Sequence, residues 1–339
     1  MDGLKVIRSL CLFTHQPSEQ SIARVKTLAQ RLGDGGFTVQ TQRLCSPDVD
    51  SIFDIDGRSD GTTFLSVGRL AWDQSMEILD RFCSARNVAF NLDLSNEAIS
   101  AAHVSFLTDI IEQNAAKTFS FTYTFNNALS SPYFPSATFE RNGFAVGLQP
   151  TDLSTDVRST EEWLGRMREA WHEIDTIMEP EEDYLGVDTS IAPLFDGGSS
   201  LINFVSRLGL DFSRVVTSDF FLKIADSIKK RGSRRVGLCG LMFPCLEDFE
   251  LAAEYEKGNF SVERCLFLSL QSGLGIDAYP VGVDEDPERI ADVLRLAQGL
   301  SNKHRKPLSA RFISDGMARI GDQTALANPY LKDVIVRPL

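Results

Sequence analysis

"LKVIRSLCLFTHQPSEQSIARVKTLAQRLGDGGFTVQTQRL" (residues 4–44) contains the pattern that decides the fold. Residues 4–13 form an apolar run of strand type. A helical stretch follows, opened by Ser18 as a capping residue and stopped by the glycines at 33–36. A second strand follows at 37–44. A strand, a helix and a further strand in this order make a βαβ unit, whose strands run parallel with a right-handed crossover.

The same alternation continues along the chain. Further strands are expected at 62–67, 88–94, 118–125, 144–150, 184–192, 235–242, 273–280 and 307–313, most of them followed by helices. That gives ten strands and predicts an α/β protein with a parallel sheet, either open or closed into a barrel. No Pro/Gly/Ser-rich linker or abrupt shift in charge divides residues 1–339, so a single domain is expected.

Composition excludes several function classes. Acidic residues outnumber basic ones 47 to 34, for a net charge of −13, whereas a nucleic-acid binder needs a basic stripe to neutralise phosphates. The densest basic runs, "IKKRGSRR" (228–235) and "NKHRK" (302–306), fall where helices should end, and cations there complement the helix dipole. Apolar runs are too short for a membrane span, and "MDGLKVIRSLCLF" lacks the features of a signal peptide. A cytoplasmic location is expected. The six cysteines and four histidines are dispersed, with no C-x-x-C pair, which argues against structural zinc.

Charges inside apolar strands mark the candidate site. Asp188 in "GVDTSIAP" and Asp277 in "GLGIDAYP" interrupt buried segments, and Ser190 shares a face with Asp188. They are read either as turn-capping aspartates or as walls of one polar pocket. In "GLCGLMFPCLEDFELAAEY" (237–255), Pro244 ends a small-residue strand. Glu247 and Asp248 are then expected in the first turn of a helix. There they serve either the helix dipole or a site at the strand's carboxyl end. Arg8 and Arg311 each lie mid-strand and need an acid or an anionic ligand, with Ser309 beside Arg311. "SSPYFPSATF" (130–139) brackets Tyr133 and Phe134 with prolines and reads as a rigid loop, over a pocket or simply packed.

"GLCGLMFPCLED", "SGLGIDAYP", "KPLSARFI", "GDQTALANPYL", "SSPYFPSATF" and "GVDTSIAPL" together resemble the family called domain of unknown function 711, from about residue 4 to 336. The resemblance implies the ten-stranded barrel of pyruvate formate-lyase-like glycyl radical enzymes. It implies no reaction. The chain carries neither an adjacent cysteine pair nor a glycyl motif, so radical chemistry is not expected. It also departs from the family's pattern at Ser272, where relatives carry cysteine. Asp315, Gly316 and Met317 stand where relatives have proline, glycine and lysine.

An enzyme acting on a small polar or anionic metabolite is the leading expectation. Asp188, Asp277, Glu247 and Asp248 are its candidate catalytic residues. Arg8, Arg311, Ser190, Ser309 and Tyr133 are candidates for substrate binding. Asp188 and Asp277 are the candidate ligands for a divalent cation such as Mg²⁺, Mn²⁺ or Ca²⁺. The alternative is a binding or regulatory barrel that has lost its chemistry. A homodimer is compatible with either.

Overall fold

The computed structural model of the chain describes residues 4–230 and 234–339. Ten strands join in one mixed sheet with helices around it. They are β1 (Val6–Phe13), β2 (Thr38–Val39), β3 (Gln42–Cys45), β4 (Thr63–Leu70) and β5 (Val88–Asp93). The rest are β6 (Phe121–Phe125), β7 (Gly143–Leu148), β8 (Tyr184–Asp188), β9 (Gly275–Pro280) and β10 (Leu308–Ile313). The strand order is β8-β7-β1-β3-β4-β5-β6-β10-β9, with β2 also paired to β1.

The opening βαβ unit forms as its sequence predicts. Ser18 caps the helix Glu19–Asp34 through a reciprocal pair with Ser21, and Gly35 terminates it by donating to the carbonyl of Arg31. That helix buries Val25, Leu28, Ala29 and Leu32. The main core is the apolar layer between helices and sheet, and Trp163, Trp171, Phe82, Phe90, Phe106 and Phe121 are fully buried in it. Each such side chain contributes about 1.5–3 kcal/mol of apolar burial.

Three expectations are corrected. The sheet is not wholly parallel: β7 runs antiparallel to β1, and β10 antiparallel to β6. β1, β3, β4, β5 and β6 run parallel, and residues 126–142 carry the chain from β6 into β7 without a helix, so β7 returns in the opposite direction to lie beside β1. The expected strand at 235–242 is absent. Residues 235–248 make isolated bridges instead: Arg235 with Val187, Leu241 with both Ile191 and Gly273, and Pro244 with Asp277. The backbone there leaves the extended region at Gly237 (φ +75°) and Cys239 (φ +47°), which breaks a continuous ladder. This segment thus touches β8 and β9, the two ends of the strand order. The count of ten strands holds because the second expected strand is split into β2 and β3. Third, Glu247 and Asp248 do not occupy the first helical turn. The helix runs Phe249–Glu256 with Asp248 as its N-cap, and Glu247 precedes it.

Among the described residues no helix is long and apolar enough to cross a membrane. All six cysteines are unpaired, five buried and Cys239 half-buried. The basic run at 228–235 includes residues outside the described ones. "NKHRK" closes the helix Pro287–His304.

Candidate functional site

The sheet supplies two arginines where its ladders are irregular. Between β1 and β7 the register shifts as Ile7 pairs Leu148 and Ser9 pairs Gly147, leaving Arg8 as the extra residue. Between β10 and β9, Ala310 pairs Ile276 and Phe312 pairs Tyr279, so Arg311 opposes both Asp277 and Ala278. Bulges of this kind re-aim a side chain out of the regular alternation. Here they bring two guanidiniums to the same carboxylate.

That carboxylate is Glu247. Arg8 Nη2 donates to its Oε2 at 3.0 Å, and Arg311 Nη2 donates to its Oε1. Arg311 also engages Asp277, its Nε donating to Oδ1 at 2.7 Å, while Arg8 Nη1 reaches Gln40 Oε1 at 3.1 Å. Burial works against the charge on Glu247, but Arg311 and Arg8 more than offset it and hold the carboxyl below the ordinary glutamate range. Burial pushes Asp277 the other way. It stays above the ordinary aspartate value despite Arg311, with Glu247 adding to the rise. Two carboxylates share Arg311 and only Glu247 has a second guanidinium, so Asp277 is the one that takes up a proton first.

These four side chains line a cavity of about 560 Å³, together with Tyr133 and Ser309. The proline-bracketed loop forms part of its wall, as Tyr133, Phe134, Pro135 and Ser136 all face it. The sheet pins that loop: Ser9 Oγ donates to Pro132 O at 2.6 Å, Asn91 Nδ2 to Pro135 O at 3.1 Å, and Tyr133 Oη to Leu148 O at 3.0 Å. Gly147 makes room for it, since a Cβ there would lie 2.7 Å from the Tyr133 ring. Residues 325–331 line the cavity as well, with the Tyr330 ring near-parallel to those of Phe119 and Phe195.

Three cationic residues not singled out in the sequence also line this cavity: Arg43, Arg86 and Lys117. Arg43 is 8% exposed. Its Nε donates to Thr41 Oγ1 at 2.9 Å, and its guanidinium lies 5.0 Å from the centre of the Phe134 ring. No carboxylate among the described residues lies within salt-bridge distance of it. Burial, reinforced by Arg8, lowers its pKa to about 10. The signal was present, an arginine beside Leu44 and Cys45 in the second strand, but the polar Gln40, Thr41 and Gln42 before it lack the apolar flank that marks Arg8 and Arg311. In all, Arg8, Arg43, Arg86, Lys117 and Arg311 line the cavity against Glu247, Asp277 and Asp315. That is an excess of two positive charges in a chain of net charge −13.

The remaining candidates lie outside the cavity lining. Asp188 is fully buried, and its oxygens accept from Ser131 Oγ (2.8 Å), Ser190 N (3.0 Å), Ser190 Oγ (2.6 Å), Leu238 N (2.8 Å) and Cys239 N (3.0 Å). It organises the turn of residues 236–240, and Ser190 is held in the same network. Asp248 accepts from Leu201 N at 3.0 Å as well as capping its own helix, and burial raises its pKa to about 6. Ser272 is buried, and among the described residues its hydroxyl has no partner.

A divalent cation does not fit these residues. Asp277 is committed to Arg311, Asp188 to five donors, and among the described residues no three His, Cys, Asp or Glu side chains are grouped to hold a metal.

Residues 71–327 match the model of a family described as "Uncharacterised ACR (DUF711)". The chain belongs to this family. The matched region includes Lys117, Tyr133, Glu247, Asp277 and Arg311; Arg8, Arg43 and Tyr330 lie outside it. Among DUF711-like relatives, a UPF0210 protein of Syntrophobacter fumaroxidans is 28% identical over 157 residues, covering 44% of this chain and 34% of that protein. A UPF0210 protein of Lactobacillus delbrueckii subsp. bulgaricus is 27% identical over 145 residues, 41% of this chain and 32% of the relative. One from Pelotomaculum thermopropionicum is 26% identical over 141 residues, 40% and 31% respectively. The alignments span about a third of the length of these curated relatives.

Proposed function

We propose that the cavity binds a small anionic metabolite, with Arg43 receiving its anionic group and Asp277 acting on it as acid or base. The observation that carries this reading is Arg43, a buried guanidinium facing a cavity without a carboxylate counter-ion among the described residues. A buried cation is costly unless paired, and guanidinium geometry matches carboxylate or phosphate. Asp277 supports the chemical part: it lines the same cavity, and its carboxyl is held above the ordinary range by burial, against Arg311 and with Glu247. Glu247 and Arg8 would position Arg311 and so Asp277. A non-catalytic binding protein is the second reading, favoured by the pairing of Glu247 and Asp277 with arginines.

We also infer that the sheet closes into a barrel around this cavity, as the likeness to pyruvate formate-lyase-like barrels implies. The bridges of residues 235–244 to both β8 and β9 support closure. Residues 1–339 would then form a single domain.

The test is a thermal-shift screen of carboxylates and phosphates against the wild type and Arg43→Met. An anion at about a hundred times its Kd adds about 2.7 kcal/mol of stability, enough to register as a shift of several degrees. That shift is expected in the wild type and absent in Arg43→Met. No shift with any anion, or an unchanged shift in the variant, overturns the reading. Turnover of the stabilising compound, lost in Asp277→Asn, separates the enzyme from the binding protein.

A further inference from the structure

We infer that the ligand of this cavity carries two anionic groups on one molecule, one received by Arg43 and the other by Lys117. The inference rests on the anion-binding reading above and narrows it to a dianion.

The ion-paired set of Arg8, Arg311, Glu247 and Asp277 is neutral as a whole, two guanidiniums against two carboxylates. It offers no net attraction to an anion. Arg43 accounts for one of the two excess positive charges around the cavity, and Lys117 supplies another buried cation. Lys117 belongs to the short 3-10 turn Ala115–Ser120 before β6, lines the cavity and is 5% exposed. Its ammonium stands 5.1 Å from the centre of the Phe82 ring and has no hydrogen bond or ion pair with any described residue. An ammonium brings three donors and no acceptor, so burial without a partner leaves all three unsatisfied.

The groups packed around Lys117 do not meet that need. Asp56 attracts it, but no Asp56 oxygen comes within ion-pair distance of the ammonium, and those oxygens face the backbone N–H groups of Arg86 at 2.7 Å and Asn87 at 2.9 Å. Cys83 and the Phe82 ring complete its surroundings. Burial lowers its pKa to about 8, so it remains a cation at neutral pH. A monoanion received by Arg43 leaves Lys117 unsatisfied. A molecule with an anionic group at each end satisfies both, the second contact forming at the high effective concentration that the first creates.

The experiment is calorimetric titration of the full chain at pH 7 with dicarboxylates from malonate to adipate, phosphonoacetate, and monocarboxylates of matching length. At least one dianion is expected to bind about tenfold or more tightly than its monoanionic counterpart, a difference of about 1.4 kcal/mol. Lys117→Met should erase that preference and keep the monoanion affinity, whereas Arg43→Met should lose both. A second measurement needs no variant: the wild-type preference should fall as pH rises from 7 to about 9 through the range of Lys117, while Arg43 keeps its proton. Equal affinity for monoanions and dianions overturns the inference and leaves the anion reading standing. A preference that survives Lys117→Met, or does not change with pH, overturns it too. Absence of binding by every compound removes both.

Discussion

Arg8 and Glu247 meet at 3.0 Å although 239 positions separate them in the chain. The contact joins the first strand to the segment that precedes the helix Phe249–Glu256. It also makes Glu247 a bridge, because its other oxygen accepts from Arg311. The bulges at Arg8 and opposite Arg311 are the local irregularities that let both side chains arrive.

Glu247→Ala is expected to destabilise the protein by about 3–5 kcal/mol, because it leaves two buried guanidiniums short of a counter-ion. Urea denaturation at pH 7 measures it. The pH dependence has a definite sign. The folded Glu247 carboxyl lies below its ordinary value of 4.5, so its stabilisation is complete above the unfolded value and is lost as pH falls through the folded one. Glu247→Gln should flatten that part of the stability–pH curve. A variant with the wild-type slope would show that other carboxylates carry the acid sensitivity.

Arg43→Met should behave oppositely. Its guanidinium is buried without a carboxylate partner among the described residues, so removing the charge is expected to leave stability unchanged or raise it by about 1–2 kcal/mol. The same denaturation series decides the matter. A loss of more than about 3 kcal/mol would mean that the hydrogen bonds Arg43 donates to Thr41 Oγ1 and, at 3.4 Å, to Pro132 O hold the structure together and that Arg43 is no ligand group.

Lys117→Met is expected to stabilise the free protein at pH 7 by roughly 1–3 kcal/mol. Burial lowers the folded ammonium to about 8 from the ordinary 10.5. The cost of holding that charge is therefore fully present below pH 8, and it fades as pH rises towards 10.5, where the unfolded lysine also loses its proton. Melting temperatures of the two proteins should converge across that interval. Parallel curves from pH 7 to 10.5 would contradict the assignment.

Asp188→Asn should destabilise by about 2–4 kcal/mol through lost acceptors, since an amide offers one oxygen and two donors to a site built from five donors. The damage should appear first as faster proteolysis within residues 234–242. Gly237→Ala should produce the same pattern, because an added Cβ would collide with the Asp188 carboxylate. Normal proteolytic resistance in both variants would show that the segment is held by other contacts.

Much of the fold was legible because its signals are local. Ser18 caps the first helix, apolar runs alternate with helical ones, and an arginine inside an apolar strand announces a need for a partner. Charge compensation is not local. Whether Arg8 and Arg311 meet an acid, and whether Arg43 meets none, depends on residues brought together only by the packed sheet. The same holds for Asp188, whose acceptor capacity is taken up by backbone N–H groups of residues 238 and 239 that no spacing rule connects to it. The two antiparallel seams also escaped the pattern, since strand direction follows from the connection and the pairing partner rather than from the strand's own residues. The sequence by itself determined the α/β class, the first helix with its Ser18 cap, and the charges of Arg8, Arg311, Asp188 and Asp277 set inside apolar strands. Only the tertiary structure decided which of those charges neutralise one another and which face the cavity, because electrostatic pairing is set by distance in space and burial, not by separation along the chain.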